Sequence, residues 1–199
     1  MSDANELMER RSTRKRICVF CSASENISQD FIMLSAKVGT IICKQSLDLI
    51  YGGDSKGMMG ELAKSVMHQQ GYVLGIFPQL IEGNEIKNRD ISKLIVVNDL
   101  FERKKNMLAL SDLFLALPGG IGTIDEITEV LVHINLGIIK KTLIIFNFNN
   151  FYVDFIKHLE KMQSIGMVSE KIFKQIYIVN SIEELDQVFN TLKGKEILL

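Results

Sequence analysis

Short apolar runs that alternate with helically spaced segments constrain this chain more than any other feature. The runs are "KRICVFC" (15–21), "LDLIYGG" (47–53), "YVLGIF" (72–77), "SKLIVV" (92–97), "LFLAL" (113–117), "KTLIIF" (141–146) and "IYIV" (176–179). Each is short and rich in β-branched or aromatic residues, which suits a strand buried on both faces. Between most of them lie segments with apolar residues at helical spacing. Residues 28–46 carry Phe31, Leu34, Val38, Ile41 and Ile42 in this way, and further helices are expected over 57–70, 99–112, 123–136, 151–163 and 181–193. Strands separated by helices become parallel neighbours joined by crossovers, so the expected fold is α/β, a Rossmann-like doubly wound parallel sheet. Such sheets take ligands beyond the carboxyl ends of their strands, where the strand order reverses. The segment 79–91 has no pattern and reads equally as a lid or a plain surface loop.

With 199 residues and no linker or repeat, the chain is read as a polar tail over 1–14 and one domain over 15–199. A net charge of −1 gives no global attraction to nucleic acid or to an acidic membrane. No apolar run is long enough to span a bilayer. The start, "MSDANELMERRSTRKR", lacks the apolar stretch of a secretory signal, and three cysteines make an odd count, so a reduced, cytoplasmic setting is expected. Cys18 and Cys21 have redox or metal spacing, but no second pair and no nearby His completes a zinc site. No metal and no cofactor is expected.

Two glycine loops follow expected strands, "YGGDSKGMMGE" (51–61) and "PGGIGT" (118–123). Neither has the spacing of a dinucleotide fingerprint or of a P-loop. Their physics is the same: glycines let backbone N–H groups approach an anion, and a following helix start adds positive potential. The expected partner is therefore a small phosphate-bearing ligand. Thr123 adds a hydroxyl, although Thr123 and Glu126 also fit a capping box, with Thr123 as N-cap. Arg103 shares a helix face with Met107 and Leu110 at a strand-to-helix junction, which makes it a candidate anion ligand.

"ERKKNM" (102–107) followed by "PGGIGTIDE" (118–126) resembles the paired signature of the LOG family, cytokinin riboside 5′-monophosphate phosphoribohydrolases also known under the label lysine decarboxylase. The resemblance extends through "ICVFCSAS" (17–24) and "LIYGGDSKGMMGELA" (49–63). It implies a homodimer that hydrolyses the N-glycosidic bond of a nucleoside 5′-monophosphate, AMP or an N6-modified AMP. By resemblance Arg103 and Glu126 are the catalytic pair. Gly119, Gly120, Gly122 and Thr123 match the phosphate cradle, and Gly52, Gly53, Ser55, Gly57 and Met59 match the first loop. Ser22 and Lys104 match further substrate-binding positions. A decarboxylase would need a pyridoxal phosphate lysine, which nothing in the sequence identifies. The chain departs from the family at Asp54, where a glycine is usual, at Ser22 in "CSAS", and at His133 and Asn135, where Trp and Gln are usual. An acid near a phosphate is unfavourable unless it points away or binds a ribose hydroxyl. His133 reads as a general acid or as a packed helix histidine. A nucleotide-binding protein without turnover, and an enzyme acting on another nucleoside monophosphate, remain as alternatives. A dimer is also expected from the apolar content of the helices over 99–112 and 123–136, including Met107, Leu110, Ile127, Val130, Leu131, Ile134 and Leu136.

Overall fold

The computed structural model describes residues 14–79 and 87–195. All but the last residue of the expected N-terminal tail, and the middle of the 79–91 loop, lie outside the described residues. Seven strands form one parallel sheet: β1 Arg16–Phe20, β2 Asp48–Tyr51, β3 Val73–Pro78, β4 Lys93–Val97, β5 Leu113–Ala116, β6 Thr142–Phe146 and β7 Ile176–Val179. Among the described residues six α-helices accompany them: α1 Gln29–Lys44, α2 Gly57–His68, α3 Leu100–Leu110, α4 Ile121–Asn135, α5 Val153–Ser164 and α6 Ile182–Gly194. The strand order is β4-β3-β2-β1-β5-β6-β7, so the direction of winding reverses between β1 and β5. There Ile17 pairs with Leu113 and Phe20 with Ala116, which brings the residues after both strands to one crevice.

Alternation along the strands builds two cores. On one side Ile17, Val19, Leu49, Tyr51 and Leu115 meet Leu34 and Val38 of α1, Leu62 and Val66 of α2, and Leu185 and Phe189 of α6. On the other, Cys18, Phe20, Ile50, Leu74 and Phe114 meet Met107 and Leu110 of α3, Ile127 and Val130 of α4, and Leu159 of α5. The apolar residues expected to be surplus on α3 and α4 are mostly this second core: Met107, Leu110, Ile127, Val130, Leu131 and Ile134 are all buried, and only Leu136 of that set is exposed. A helix lying on a sheet needs a broad apolar stripe, and these residues supply it.

Capping explains where the helices begin. Ser28, Asp99 and Ser181 each accept a backbone N–H at the starts of α1, α3 and α6. At α3 the bond runs from Glu102 N to Asp99 Oδ1 at 2.8 Å, and the Glu102 carboxylate reaches back to Asn98 N at 2.9 Å. Thr123 is not such a cap. α4 starts at Ile121 with Gly120 as N-cap, so Thr123 lies inside the first turn and is buried, and the Glu126 carboxylate meets Arg103. The Gly119–Gly120 pair lets the helix begin two residues earlier than its apolar spacing implies.

Candidate active site

The residues after β1 and β5 and the starts of α2, α3 and α4 meet at the switch point. Arg103 and Glu126, distant in sequence, form a buried ion pair with Nη2 3.4 Å from Oε1. Arg103 Nε also donates to the carbonyl of Ile76 at 3.2 Å, which aims the guanidinium across the end of the sheet. It crosses directly over Gly52: a Cβ there would overlap Arg103 Nη2 and crowd the Met59 sulfur. Gly52 is thus explained by the passage of this arginine. The sequence pattern brought Gly52, Met59, Arg103 and Glu126 to one place.

Glu126 is buried, and burial is the main cause that pushes its carboxyl up from the ordinary carboxylate range to about 7. Arg103 opposes the shift, Asp125 adds to it, and Lys104 opposes it. A carboxyl held near neutrality in a crevice suits proton transfer at physiological pH.

The helix starts beside this pair carry no side-chain cap. Neither Lys56 at α2 nor Gly120 at α4 bonds a first-turn N–H through its side chain, and neither first turn contains an acid. The two loops nonetheless differ. In the first, Gly57 has φ +55° and a Cβ there would overlap the backbone of Ala23 and Ser24. Met59 N donates to Ser22 O at 3.2 Å, so the loop is fastened to the residues after β1. The Ser22 hydroxyl accepts from Ser24 N at 3.0 Å. In the second loop, Gly119 leaves space for the Thr123 side chain, but a Cβ at Gly120 or Gly122 would meet nothing within 4 Å. Both are exposed, and neither has a positive φ. The chain itself does not require glycine at these two positions, and their lack of side chains leaves the start of α4 open. A cavity of about 290 Å³ opens next to them, walled by Ser22, Ser24, Phe31, Met58 and Phe151.

The remaining expected residues fall as follows. Gly53 has φ +82° and accepts from Asn88 N at 2.9 Å, so it shapes the turn after β2. Ser55 sits against Gly60, where a Cβ would overlap its carbonyl; Gly60 is a packing requirement that the motif reading passed over. Asp54 is buried, and its Oδ1 accepts Lys56 N at 2.8 Å, which turns the loop locally. Lys104 is held by two α4 carboxylates, Asp125 at 2.9 Å and Glu129 at 3.3 Å. Asp125 and Glu129 lie one helical turn apart on α4, but nothing in the sequence says that this face meets α3. His133 Nδ1 lies 2.8 Å from the carbonyl of Glu129, and Asn135 accepts Ser169 N at 3.2 Å. Both are fastened to structure, and His133 is seven residues, about 10 Å of helix rise, beyond Glu126. Cys18 and Cys21 are buried with free thiols that burial pushes up, so neither offers a thiolate. Among the described residues no group of three or more His, Cys, Asp or Glu could hold a metal ion.

A parallel sheet with a glycine-lined helix start at its switch point, and a buried Arg–Glu pair beside it, defines a Rossmann-like protein built for a small anionic ligand. The family model described as "Possible lysine decarboxylase" matches residues 59–189. The chain is 31% identical over 194 residues to cytokinin riboside 5′-monophosphate phosphoribohydrolase LOG7 of Arabidopsis thaliana, covering 94% of this chain and 89% of that one. It is 32% identical to the cytokinin riboside 5′-monophosphate phosphoribohydrolase of Rhodococcoides fascians, covering 87% and 88%. The chain belongs to this LOG family. Among solved structures, the molybdenum cofactor binding protein of Rippkaea orientalis shares the fold at 20% identity and a TM-score of 0.68, covering 91% of this chain and 99% of that one. The molybdenum cofactor carrier protein of Chlamydomonas reinhardtii does so at 17% identity and 0.70, covering 91% and 99%.

Proposed function

We propose that this protein hydrolyses the N-glycosidic bond of a nucleoside 5′-monophosphate, AMP or an N6-modified AMP, to the free base and ribose 5-phosphate. The observation that carries the reading is the buried Glu126 beside Arg103, at the uncapped and glycine-open start of α4. The 5′-phosphate lies on the N–H groups around Gly119, Gly120, Gly122 and Thr123, where the helix start favours negative charge. The C1′–N bond breaks, its electron pair leaves with the base, and positive charge grows on the ribose. The Glu126 carboxylate stabilises that charge and accepts a proton from the water that adds at C1′. Arg103 holds Glu126 in place. Because Glu126 titrates near 7, it can pass that proton on to the departing base, directly or through solvent, which leaves the neutral free base and regenerates the carboxylate. The phosphate, remote from the broken bond, supplies binding energy that orients the sugar.

The proposed assembly is a homodimer. Its support is the exposed apolar set on α3 and α4, with Phe101 81% and Ile121 86% exposed at the starts of the two helices and Val132 and Leu136 open toward the end of α4. A cytoplasmic setting is proposed from the three free cysteines; among the described residues no helix is long and apolar enough to cross a membrane. The deciding experiment is a panel of AMP, GMP, CMP, UMP and N6-modified AMP, with released base and ribose 5-phosphate both quantified. Turnover confined to the adenine nucleotides supports the reading. Binding of AMP without release of base assigns the protein to nucleotide binding alone, and turnover of another member of the panel assigns a different base.

A further inference from the structure

Lys104 follows Arg103 in α3, and family resemblance makes it a substrate-binding lysine. Its surroundings in this fold point elsewhere. Its ammonium reaches over to α4 and bonds Asp125 Oδ1 at 2.9 Å and Glu129 Oε2 at 3.3 Å. The side chain is only 14% exposed, while its partners are 54% and 36% exposed. The space that Lys104 shares with Glu126, bounded also by Phe20, Met107 and Leu108, measures about 10 Å³. That is barely room for one water and none for a phosphate. Turning the ammonium toward a substrate phosphate would also leave two carboxylates unneutralised one helical turn apart, on the helix whose start must attract that phosphate.

We propose that Lys104 is a positioning residue: it ties α3 to α4 so that Arg103 and Glu126 stay opposed, and it neutralises Asp125 and Glu129 beside the reacting carboxylate. The geometry shows why a tie is needed. The Arg103–Glu126 separation of 3.4 Å is longer than a well-formed charged hydrogen bond, so the pair does not fix its own distance. Arg103 is further held by the Ile76 carbonyl, whereas the Glu126 carboxylate is met by Arg103 at this loose distance. The Lys104 bridge lies one residue along α3 from Arg103 and spans the residues on either side of Glu126 along α4. The charged and titratable groups that face Glu126 are Arg103 and Lys104 from α3, Asp125 from its own helix, Cys18 of β1 and Cys21 just after it, and Tyr152 preceding α5. Of the cations, Arg103 touches the carboxylate and Lys104 balances the acid next to it. Loss of the Lys104 charge therefore raises the proton affinity of Glu126, because Asp125 then acts unopposed.

This inference rests on the proposed hydrolysis for its kinetic readout, and the test separates the two. Wild-type turnover of AMP and of N6-modified AMP is measured first; the absence of both refutes the hydrolysis and leaves the positioning role to be read by binding and by NMR titration of the Glu126 carboxyl. Lys104→Met keeps the apolar stem and removes the charge. The expected result is a kcat for AMP at least about tenfold lower at pH 6 and a Glu126 midpoint moved upward by half a pH unit or more. The affinity for ribose 5-phosphate should stay within about threefold. Lys104→Arg preserves both bridges and should rescue kcat and midpoint. If Lys104→Met does not fold, Asp125→Asn with Glu129→Gln breaks the tie from the other helix: kcat at pH 8, where Glu126 is ionised, should again fall about tenfold, while the Glu126 midpoint moves downward because Asp125 no longer raises it. A lysine freed to bind phosphate would tighten ribose 5-phosphate, whereas a positioning lysine leaves that affinity unchanged and lowers kcat. Loss of ribose 5-phosphate affinity by tenfold or more in Lys104→Met, with an unmoved Glu126 midpoint, overturns the proposal and returns Lys104 to the phosphate.

Discussion

Replacing Glu126 with glutamine should separate chemistry from folding in a way that depends on pH. Burial lifts the Glu126 carboxyl from 4.5 to about 7, a rise of about 2.5 units. At 1.36 kcal/mol per unit this corresponds to about 3 kcal/mol between the protonated and ionised forms in the fold. The sign follows from the raised value. The native state binds the proton more tightly than the unfolded chain, so the contribution to stability is complete below about pH 4.5 and is lost as pH rises to about 7. Glu126→Gln has no such proton. It leaves Arg103 without its carboxylate, which is a nearly constant penalty across the range, because the guanidinium does not titrate there. The stability of the variant relative to wild type should therefore climb by about 3 kcal/mol between pH 4 and pH 8, whatever its starting offset. Denaturant unfolding of both proteins at a series of pH values measures this, since other titrating groups cancel in the difference. Turnover of AMP should fall by about two to four orders of magnitude, the range for loss of a key charged group. Wild-type kcat should itself rise with pH through about 7 as Glu126 ionises. A stability difference flat to within 1 kcal/mol from pH 4 to 8 would refute the desolvated carboxylate, and full turnover by the glutamine variant would refute its chemical role.

Other consequences are independent of that one. Adenosine should be a far poorer substrate than AMP in kcat/KM, with kcat lowered as well, because phosphate binding orients the sugar; equal values for the two would remove the cradle from the mechanism. Phe101→Glu together with Ile121→Asp, at exposed positions on α3 and α4, should shift a dimer toward monomer in light scattering at micromolar concentration with the fold intact. An unchanged mass places the contact on another surface.

The elements were legible because the sheet is buried on both faces. All seven strands and all six α-helices fall where the apolar runs and helical spacings put them, since each run must fill two cores at once. Boundaries were less legible. The start of α4 is set by Gly119 and Gly120 and not by apolar spacing, so Thr123 read as a cap although it sits inside the helix. The apolar residues of α3 and α4 read as surplus because a sequence does not tell how wide a stripe the sheet covers. In the site, Arg103 and Glu126 were legible by motif, and the structure brings them together. The engagement of Lys104 by Asp125 and Glu129 was not, because it depends on how far apart α3 and α4 lie. Asp54 is an acid beside a glycine loop whose direction only the fold supplies. One carboxylate oxygen is spent on the backbone N–H of Lys56, so it shapes the turn after β2.

The glycines of the two loops allow one more separation of roles. At Gly52 an added methyl meets the guanidinium of Arg103, the movable end of a long side chain. Gly52→Ala should therefore displace Arg103 from Glu126 and lower kcat, with ribose 5-phosphate affinity nearly unchanged. At Gly122 an added methyl meets nothing in the chain, and the residue lies in the first turn of α4. Alanine is the better helix former, so Gly122→Ala should gain up to about 1 kcal/mol of stability. If the second loop cradles the phosphate, the same methyl stands where the anion approaches, and affinity for both AMP and ribose 5-phosphate should fall by tenfold or more. A more stable protein that binds its ligand less well is the signature of a residue kept for the ligand and not for the fold. The pair is decisive because the two substitutions are chemically identical and their effects should not overlap: Gly52→Ala acts on the chemical step, Gly122→Ala on the anion. Thermal unfolding, ribose 5-phosphate titration and AMP kinetics on both variants read all three quantities. Stabilisation by Gly122→Ala with undiminished phosphate affinity would show that the open space at the start of α4 is only surface, and the cradle would then have to be sought at the start of α2.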